Sequence, residues 1–97
     1  MVGALVEIDL HVPASSSLKE KRGVVKALIA RLRRDLNVSV AEIDHQDLWQ
    51  RTTLGVAIAA GSEIGARKIA QQVERLVSRE HRVDILAVDV DVVALER

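Results

Sequence analysis

Residues 17–36, SLKEKRGVVKALIARLRRDL, constrain the fold most, because they combine the clearest helical periodicity in the chain with its largest local excess of charge. At about 100° per residue, the apolar side chains fall in one sector, which predicts an amphipathic helix lying on a core. That sector contains Leu18, Val25, Leu28, Ile29, Leu32 and Leu36. Ser17, with Glu20 following, predicts a capping box, so the helix should begin here.

The same segment is strongly cationic. It holds seven basic and two acidic residues, so its net charge is +5, whereas the whole chain sums to zero. Four of its basic residues share a second sector beside the apolar one: Lys19, Arg22, Lys26 and Arg33. This row predicts contact with nucleic-acid phosphates. The alternative is a solvated helix face that balances acidic residues elsewhere or on a partner subunit. Zero net charge favours local and modest RNA binding.

Lys21 is the charged residue whose helical angle places it among the apolar side chains. A buried ammonium group needs an acceptor or a route to the surface. We therefore expect Lys21 to pair with Glu42 or Asp44, or to extend toward solvent, rather than to act as a catalytic lysine.

The remaining chain predicts four strands and a second helix. Residues 2–12 alternate apolar and polar side chains, which is the period of a strand with one buried face. The segment NVSVAEID and residues 48–60 form the two strands of a hairpin, with Leu48 on the buried face of the second. Ser62 caps a helix with Ile64, Ile69, Val73, Leu76 and Val77 as its apolar stripe. In the last strand, residues 83–95, the expected buried set is Leu86, Val88, Val90 and Val92.

This order of elements, βαββαβ, predicts a single ferredoxin-like α+β domain over residues 1–97. The expected sheet has four antiparallel strands in the order 4-1-3-2, and both helices cover one of its faces. A core of Val, Leu, Ile and Ala fits, since aromatic residues make up only 1% of the chain. An open sandwich of strands is disfavoured because neither helix could bury its stripe alone.

The uncovered sheet face is the second candidate surface. Glu7, Asp9, Asp89 and Asp91 should form an acidic patch there, and we prefer solvation or pairing with Arg51 across a dimer to a metal or catalytic site. Arg51 of one copy could meet Asp9 or Asp89 of another. The predicted dimer interface comprises Leu5, Trp49, Arg51, Gly55, Ala57 and Ala87. Trp49, at the start of the third strand, is expected to pack at this interface rather than to stack on a base.

Several classes of function lack the residues they need. The chain has no cysteine, which excludes thiolate chemistry and fits a reducing compartment such as the cytoplasm. Its three histidines fall in separate elements, and no glycine-rich phosphate loop follows a strand. The first residues include Glu7 and Asp9 and do not resemble a signal peptide or a membrane span. We therefore predict no enzyme activity, catalytic residue, metal, cofactor, small-molecule substrate or membrane partner.

Four motifs in a fixed order point to a known family. They are SLKEKR after the first strand, NVSVAEID, DLWQ in the hairpin and its continuation LGVA. In these motifs, and nearly end to end, the chain resembles the YlxP-like family of short bacterial proteins of unknown function. The resemblance implies a ferredoxin-like fold, a bacterial cytoplasmic location and no described catalytic residues. Genes of that family often lie near those for translation initiation and ribosome maturation factors, which implies a ribosome or RNA role.

Two hypotheses of function follow. The first is a nonenzymatic accessory protein that contacts ribosomal RNA or a ribosome-associated protein through the basic first helix. The second is a homodimeric interaction module that uses the uncovered sheet face and does not bind RNA.

Overall fold

The computed structural model describes residues 1–96 and contains the six predicted elements in the predicted order. The last residue of the predicted domain, Arg97, lies outside the described residues. The elements are β1 (Val2–His11), α1 (Leu18–Asp35), β2 (Ser39–Asp44), β3 (Arg51–Ala60), α2 (Glu63–Ser78) and β4 (Asp84–Ala94).

The four strands form one antiparallel sheet in the order β2-β3-β1-β4, which is the predicted order read from the other edge. β1 lies at the centre and pairs with β3 from Val2 opposite Ala60 to His11 opposite Arg51. On its other side β1 pairs with β4, while β2 pairs only with β3. Both helices pack on one face of this sheet, so the ferredoxin-like fold is confirmed. The opposite face carries no layer from residues 1–96.

The core lies between the sheet and the two helices. Alternate residues of β1 and β3 point into it, as the period of two predicts, and the helices supply the other layer. Leu28 and Leu32 of α1 and Val73 and Val77 of α2 are almost fully buried. The sheet contributes Ala4, Val6, Ile8, Leu10, Val40, Leu54, Val56 and Ile58.

The start of α1 follows the predicted capping chemistry with one shift. The Oγ atom of Ser17 accepts a hydrogen bond from the Glu20 backbone N–H at 3.1 Å. The Glu20 carboxylate reaches one residue further back than a capping box requires and accepts from the backbone N–H of Ser16 at 3.0 Å. This backbone bond lowers the pKa of the Glu20 carboxyl group. One donor of the first turn, at Glu20, and one just before the N-cap, at Ser16, are therefore satisfied locally.

Three predicted core positions are wrong, each for a local reason. Leu48 lies in the connection before β3, which begins at Arg51, and is exposed. Ile64 is 81% exposed because the helical period places it about 180° from Val73, opposite the buried side of α2. Leu86 is displaced by a β-bulge, since Asp9 pairs with Ala87 but Leu10 pairs with Ile85.

The last strand is also less covered than predicted. Val88 and Val92 pack partly against the core, but Val90 remains 43% exposed. β4 is an edge strand, so the helix layer covers it from one side only.

Candidate functional site

The exposed flank of α1 carries the predicted cationic row. Lys19, Arg22 and Lys26 are exposed, and within residues 1–96 none of them forms an ion pair or a side-chain hydrogen bond. They recur at spacings of three and four residues, so each lies beside the next, and the row is about 10 Å long. We call Lys19, Arg22 and Lys26 the cationic row.

Arg33, the fourth predicted member, lies on the same flank but is already engaged. Its Nη2 atom donates to the main-chain oxygen of Val40 at 2.7 Å. Because Val40 belongs to the edge strand β2, this bond fixes the C-terminal part of α1 against that edge. Arg33 therefore contributes positive charge to the flank with less freedom to reorient than the cationic row.

The other basic residues of α1 have intramolecular partners. The Arg34 Nε donates to Asp35 at 2.9 Å, and Arg31 lies 3.9 Å from the same carboxylate. The hydrogen bond from Arg34 lowers the pKa of the Asp35 carboxyl group. Only the N-terminal two-thirds of the helix thus presents cations that are free to meet an external anion.

Small residues lie next to the cationic row. Gly23, Ala27 and Ala30 are exposed and follow one another at helical spacing. A Cβ atom placed on Gly23 would meet no atom within 4 Å, so packing within the chain does not require glycine there. Glycine in a helix interior costs about 1 kcal/mol relative to alanine. The low surface at Gly23 therefore leaves room for a ligand backbone to approach the helix closely.

Lys21 is fully buried and has three acceptors. Its Nζ atom lies 2.6 Å from Oε2 of Glu42 and donates to the main-chain oxygens of His45 and Gln46 at 2.9 and 3.2 Å. The same Glu42 oxygen accepts from the hydroxyl of Thr52. The predicted pairing with Glu42 is thus confirmed, while Asp44 is not used. Every proton of this ammonium group has an acceptor, which indicates a structural lysine.

The connection between β2 and β3 is held against the start of α1. Besides Lys21, the side-chain amide of Gln50 donates to the main-chain oxygens of Pro13 and Ser15 at 3.3 and 3.1 Å. His45 has a positive φ of 60°, and its backbone N–H donates to the Asp44 carboxylate. These bonds fix the position of the cationic row relative to the sheet.

Trp49 lies in this connection rather than in β3. It is 55% exposed and precedes the first residue of the strand by two positions. The predicted place at the start of the third strand is therefore wrong, because the hairpin connection extends further than the alternation suggested. Trp49 is therefore not one of the paired strand residues that form the uncovered sheet face, unlike the other residues of the predicted interface.

Those other predicted residues do share the uncovered face, which we call the open face. Strand pairing places Ala57, Leu5 and Asp91 in one row across the sheet. It places Gly55, Glu7 and Asp89 in the next row, and Thr53, Asp9 and Ala87 in the third. Leu5 is 57% exposed at the centre of this surface.

The salt bridge of Arg51 forms within one chain. Its Nη2 atom donates to both oxygens of Asp9, at 2.9 and 2.7 Å. The predicted pairing across a dimer is not needed, since the register sets Asp9 and Arg51 diagonally on neighbouring strands. The Nε atom of Arg51 is buried without a hydrogen-bond partner among the described residues.

Sequence reasoning missed an ion pair between α2 and β4. Glu80 is buried, and its two oxygens accept from Nε and Nη2 of Arg82 at 2.8 and 3.0 Å. These hydrogen bonds lower the pKa of the Glu80 carboxyl group to about 2. The signal available in the sequence was an acid and a base two residues apart at a helix end, which is too common to single out.

Between Met1 and Glu96, no three acidic or histidine side chains lie close enough together to hold a metal ion. None of the helices described is long and apolar enough to cross a membrane. Two surfaces of the described residues carry an excess of one charge: the cationic flank of α1 and the acidic, partly apolar open face.

The element order and the sheet define a small ferredoxin-like α+β domain. The chain belongs to the DUF503 family, described as a protein of unknown function, whose model matches residues 3–90. It is similar to the uncharacterized protein YlxP of Bacillus subtilis (strain 168), with 40% identity over 73 residues, 75% of this chain and 78% of that protein. The predicted YlxP-like membership is therefore confirmed.

Solved structures support the fold alone. The de novo designed protein LFR1 1 with ferredoxin fold matches with a TM-score of 0.57 and 19% identity, over 93% of this chain and 85% of the design. The de novo designed protein Foldit4 matches with a TM-score of 0.53 and 13% identity, over 97% and 99% of the two chains. Because designed proteins of this fold share the architecture, the architecture does not identify a function.

Proposed function

We propose that this protein is a nonenzymatic accessory factor of the bacterial cytoplasm that contacts ribosomal RNA or a ribosome-associated protein through the cationic flank of α1, and RNA is the partner that the free cations favour. The observation that carries the proposal is the cationic row. Lys19, Arg22 and Lys26 repel one another at adjacent helical positions, and no carboxylate in residues 1–96 forms an ion pair with them. An external polyanion would relieve that repulsion.

Geometry favours phosphate contact over base recognition. The row lies beside the low surface of Gly23, where a sugar–phosphate backbone can approach the helix closely. Trp49, the chain's single aromatic residue, is outside the sheet, so a base-stacking platform of the RNA-recognition-motif type is not available. Binding should therefore depend on charge and be weakly selective for sequence.

A solvated helix face is the competing interpretation. It predicts that the row has no partner and that charge reversal there is silent. The family resemblance to proteins encoded near translation factors favours RNA, but only by association.

Charge reversal tests the proposal. The double variant Arg22→Glu, Lys26→Glu should bind protein-free ribosomal RNA and purified ribosomal subunits at least about tenfold more weakly than the parent, because two of three free cations become anions. Its thermal stability should change little, since both side chains are exposed. Electrophoretic mobility shift at low salt measures the first quantity and calorimetry the second.

Matched controls separate local contact from net charge. Arg67→Glu with Lys68→Glu makes the same change of charge on exposed positions of α2 and should leave RNA binding within about twofold of the parent. Trp49→Ala should also bind normally. Equal losses in the α1 and α2 variants, or no RNA binding by the parent at low salt, would refute the proposal.

A further inference from the structure

The open face combines exposed apolar side chains with carboxylates that lack cations. Leu5 stands between two hollows. One, of about 340 Å³, is lined by Gly3, Val93 and Leu95. The other, of about 290 Å³, is lined by Ala41, Ile43 and Ala57. An apolar surface divided in this way fits a partner with more than one apolar anchor.

Ile43 shapes the second hollow because Gly55 lets it lie flat on the sheet. A Cβ atom at Gly55 would come within 2.8 Å of Cγ2 of Ile43. A side chain at position 55 would therefore force Ile43 to move from its place on the sheet. Ala57 and Ala87 keep the rest of the face low, so a second layer can approach the sheet closely.

The charges of this face are unbalanced. Glu7 lies directly opposite Asp89 on the neighbouring strand, and like charges in that position destabilise a sheet. Asp91 lies directly beside Leu5. Within residues 1–96, Glu7, Asp89 and Asp91 form no ion pair, and the cation of the face, Arg51, is already held by Asp9.

We propose that the open face is the docking site for a basic amphipathic helix of another protein. Such a helix places apolar side chains in the hollows beside Leu5 and Lys or Arg side chains on Glu7, Asp89 and Asp91. A helix can cover a sheet face, and an amphipathic one presents apolar and basic side chains side by side at spacings of three and four residues, which matches a face that mixes apolar hollows with carboxylates.

Charge complementarity disfavours a two-fold dimer of this chain through the open face. A two-fold interface applies the same patch to both subunits, so these carboxylates would be buried against their own equivalents. Arg51 could not neutralise them without releasing Asp9. RNA is also disfavoured on the open face, because its phosphates and these carboxylates are both negatively charged. This docking site therefore does not depend on the RNA proposal.

The test uses the full chain and two synthetic helical peptides of about five turns. Both carry Leu at helical spacing, and the remaining positions are Lys in one peptide and Glu in the other. The Lys peptide should bind at low salt and shift the amide resonances of Leu5, Glu7 and Asp89. The Glu peptide should bind at least about tenfold more weakly.

Variants assign the site. Asp89→Asn with Asp91→Asn should weaken the Lys peptide about tenfold, and Leu5→Asp should weaken it through loss of the apolar anchor. The same change of charge at Glu63→Gln with Glu74→Gln, exposed on α2, should have no effect. RNA binding should be unchanged in the Asp89 and Asp91 variant, so failure of one proposal is distinguishable from failure of the other.

Four outcomes would overturn the inference. They are equal affinity for the two peptides, resonance shifts confined to the helices, no binding of the Lys peptide at low salt, and a dimer seen by sedimentation that Leu5→Asp dissociates. The last would show that a second copy covers the face.

Discussion

Lys21 joins α1 to β2 and to the connection after β2 through a charged group that has no contact with solvent. Its ammonium group is fully buried and connects α1 to Glu42 and to the connection after β2. Removing one partner of such a pair leaves the other charge uncompensated, whereas removing both can cost little. A double-mutant cycle, which gives the coupling energy between Lys21 and Glu42, therefore measures what the pair contributes to stability.

We expect Lys21→Met to lower the free energy of unfolding by about 3 kcal/mol. Glu42→Met should cost a similar amount, because it strands the ammonium group. The double variant should lose about 1 to 3 kcal/mol less than the sum of the single variants. Urea unfolding measures all three values, and strict additivity would show that the pair is not coupled.

Glu80 should make the free energy of unfolding depend on pH in the acid range. Its carboxyl pKa is about 2 in the folded protein against 4.5 for an unperturbed group, because Arg82 donates to it. A lowered folded pKa means that the stabilisation is complete above about 4.5 and is lost as the pH falls toward about 2.

The Glu80→Gln variant should therefore be less stable than the parent at pH 7, by about 1 to 3 kcal/mol. The difference should shrink as the pH is lowered from about 4.5 toward 2. Chemical unfolding across this range checks it, with the exposed Glu74→Gln as the control. A difference that is constant with pH would show that the Arg82 pair does not cause it.

The helix α1 has a buried side that packs on the sheet and an exposed side that carries the cationic row. Leu28 and Leu32 attach it to the sheet, while the cationic row faces away from the core. The two helices differ in this respect, since the basic side chains of α2 are interspersed with acidic ones and Arg67 pairs with Glu63. Substitutions on the two sides of α1 should therefore affect different properties.

Leu32→Ala should destabilise the fold by about 2 to 5 kcal/mol, because it leaves a cavity beneath α1. Ile64→Ala removes a similar volume from an exposed position of α2 and should cost less than about 0.5 kcal/mol. Thermal unfolding of the two variants compares them. Equal melting temperatures would mean that the buried side of α1 is assigned wrongly.

Sequence periodicity was sufficient for the elements and their order, because a period of two or of 3.6 residues records which side of each element is buried. It failed where geometry departs from the repeat. The bulge at Leu86 places Ile85, rather than Leu86, opposite Leu10, although the alternation of side chains in the sequence shows no interruption there. The spacing of five residues from Ile64 to Ile69 lies off the helical repeat, so Ile64 faces away from the buried side of α2.

Ion pairs between side chains on different elements were harder to predict than the buried face of each element. The pairing of Lys21 with Glu42 could be foreseen because a buried ammonium group needs a nearby carboxylate. The pairing of Arg51 with Asp9 within one chain could not, since it depends on the register between β1 and β3. β1 and β3 are separated in the chain by α1 and β2, so no turn in the sequence defines that register.

On the scale of the whole molecule, opposite charges are separated onto different layers. The segment around α1 has a net charge of +5, and the rest of the chain must carry −5. The cationic row lies on the helix layer, and Glu7, Asp89 and Asp91 lie on the open face. Such a molecule can hold a polyanion on one side and a basic partner on the other.

The most direct test of the central claim is the salt dependence of RNA binding by the parent protein. If three or four cations of α1 neutralise phosphates, log K against log[salt] should be linear with a slope of about −2 to −3. The Arg22→Glu, Lys26→Glu variant should give a slope shallower by at least about 1. A parent slope near zero, or the same slope in both proteins, would contradict the claim that the cationic row binds RNA.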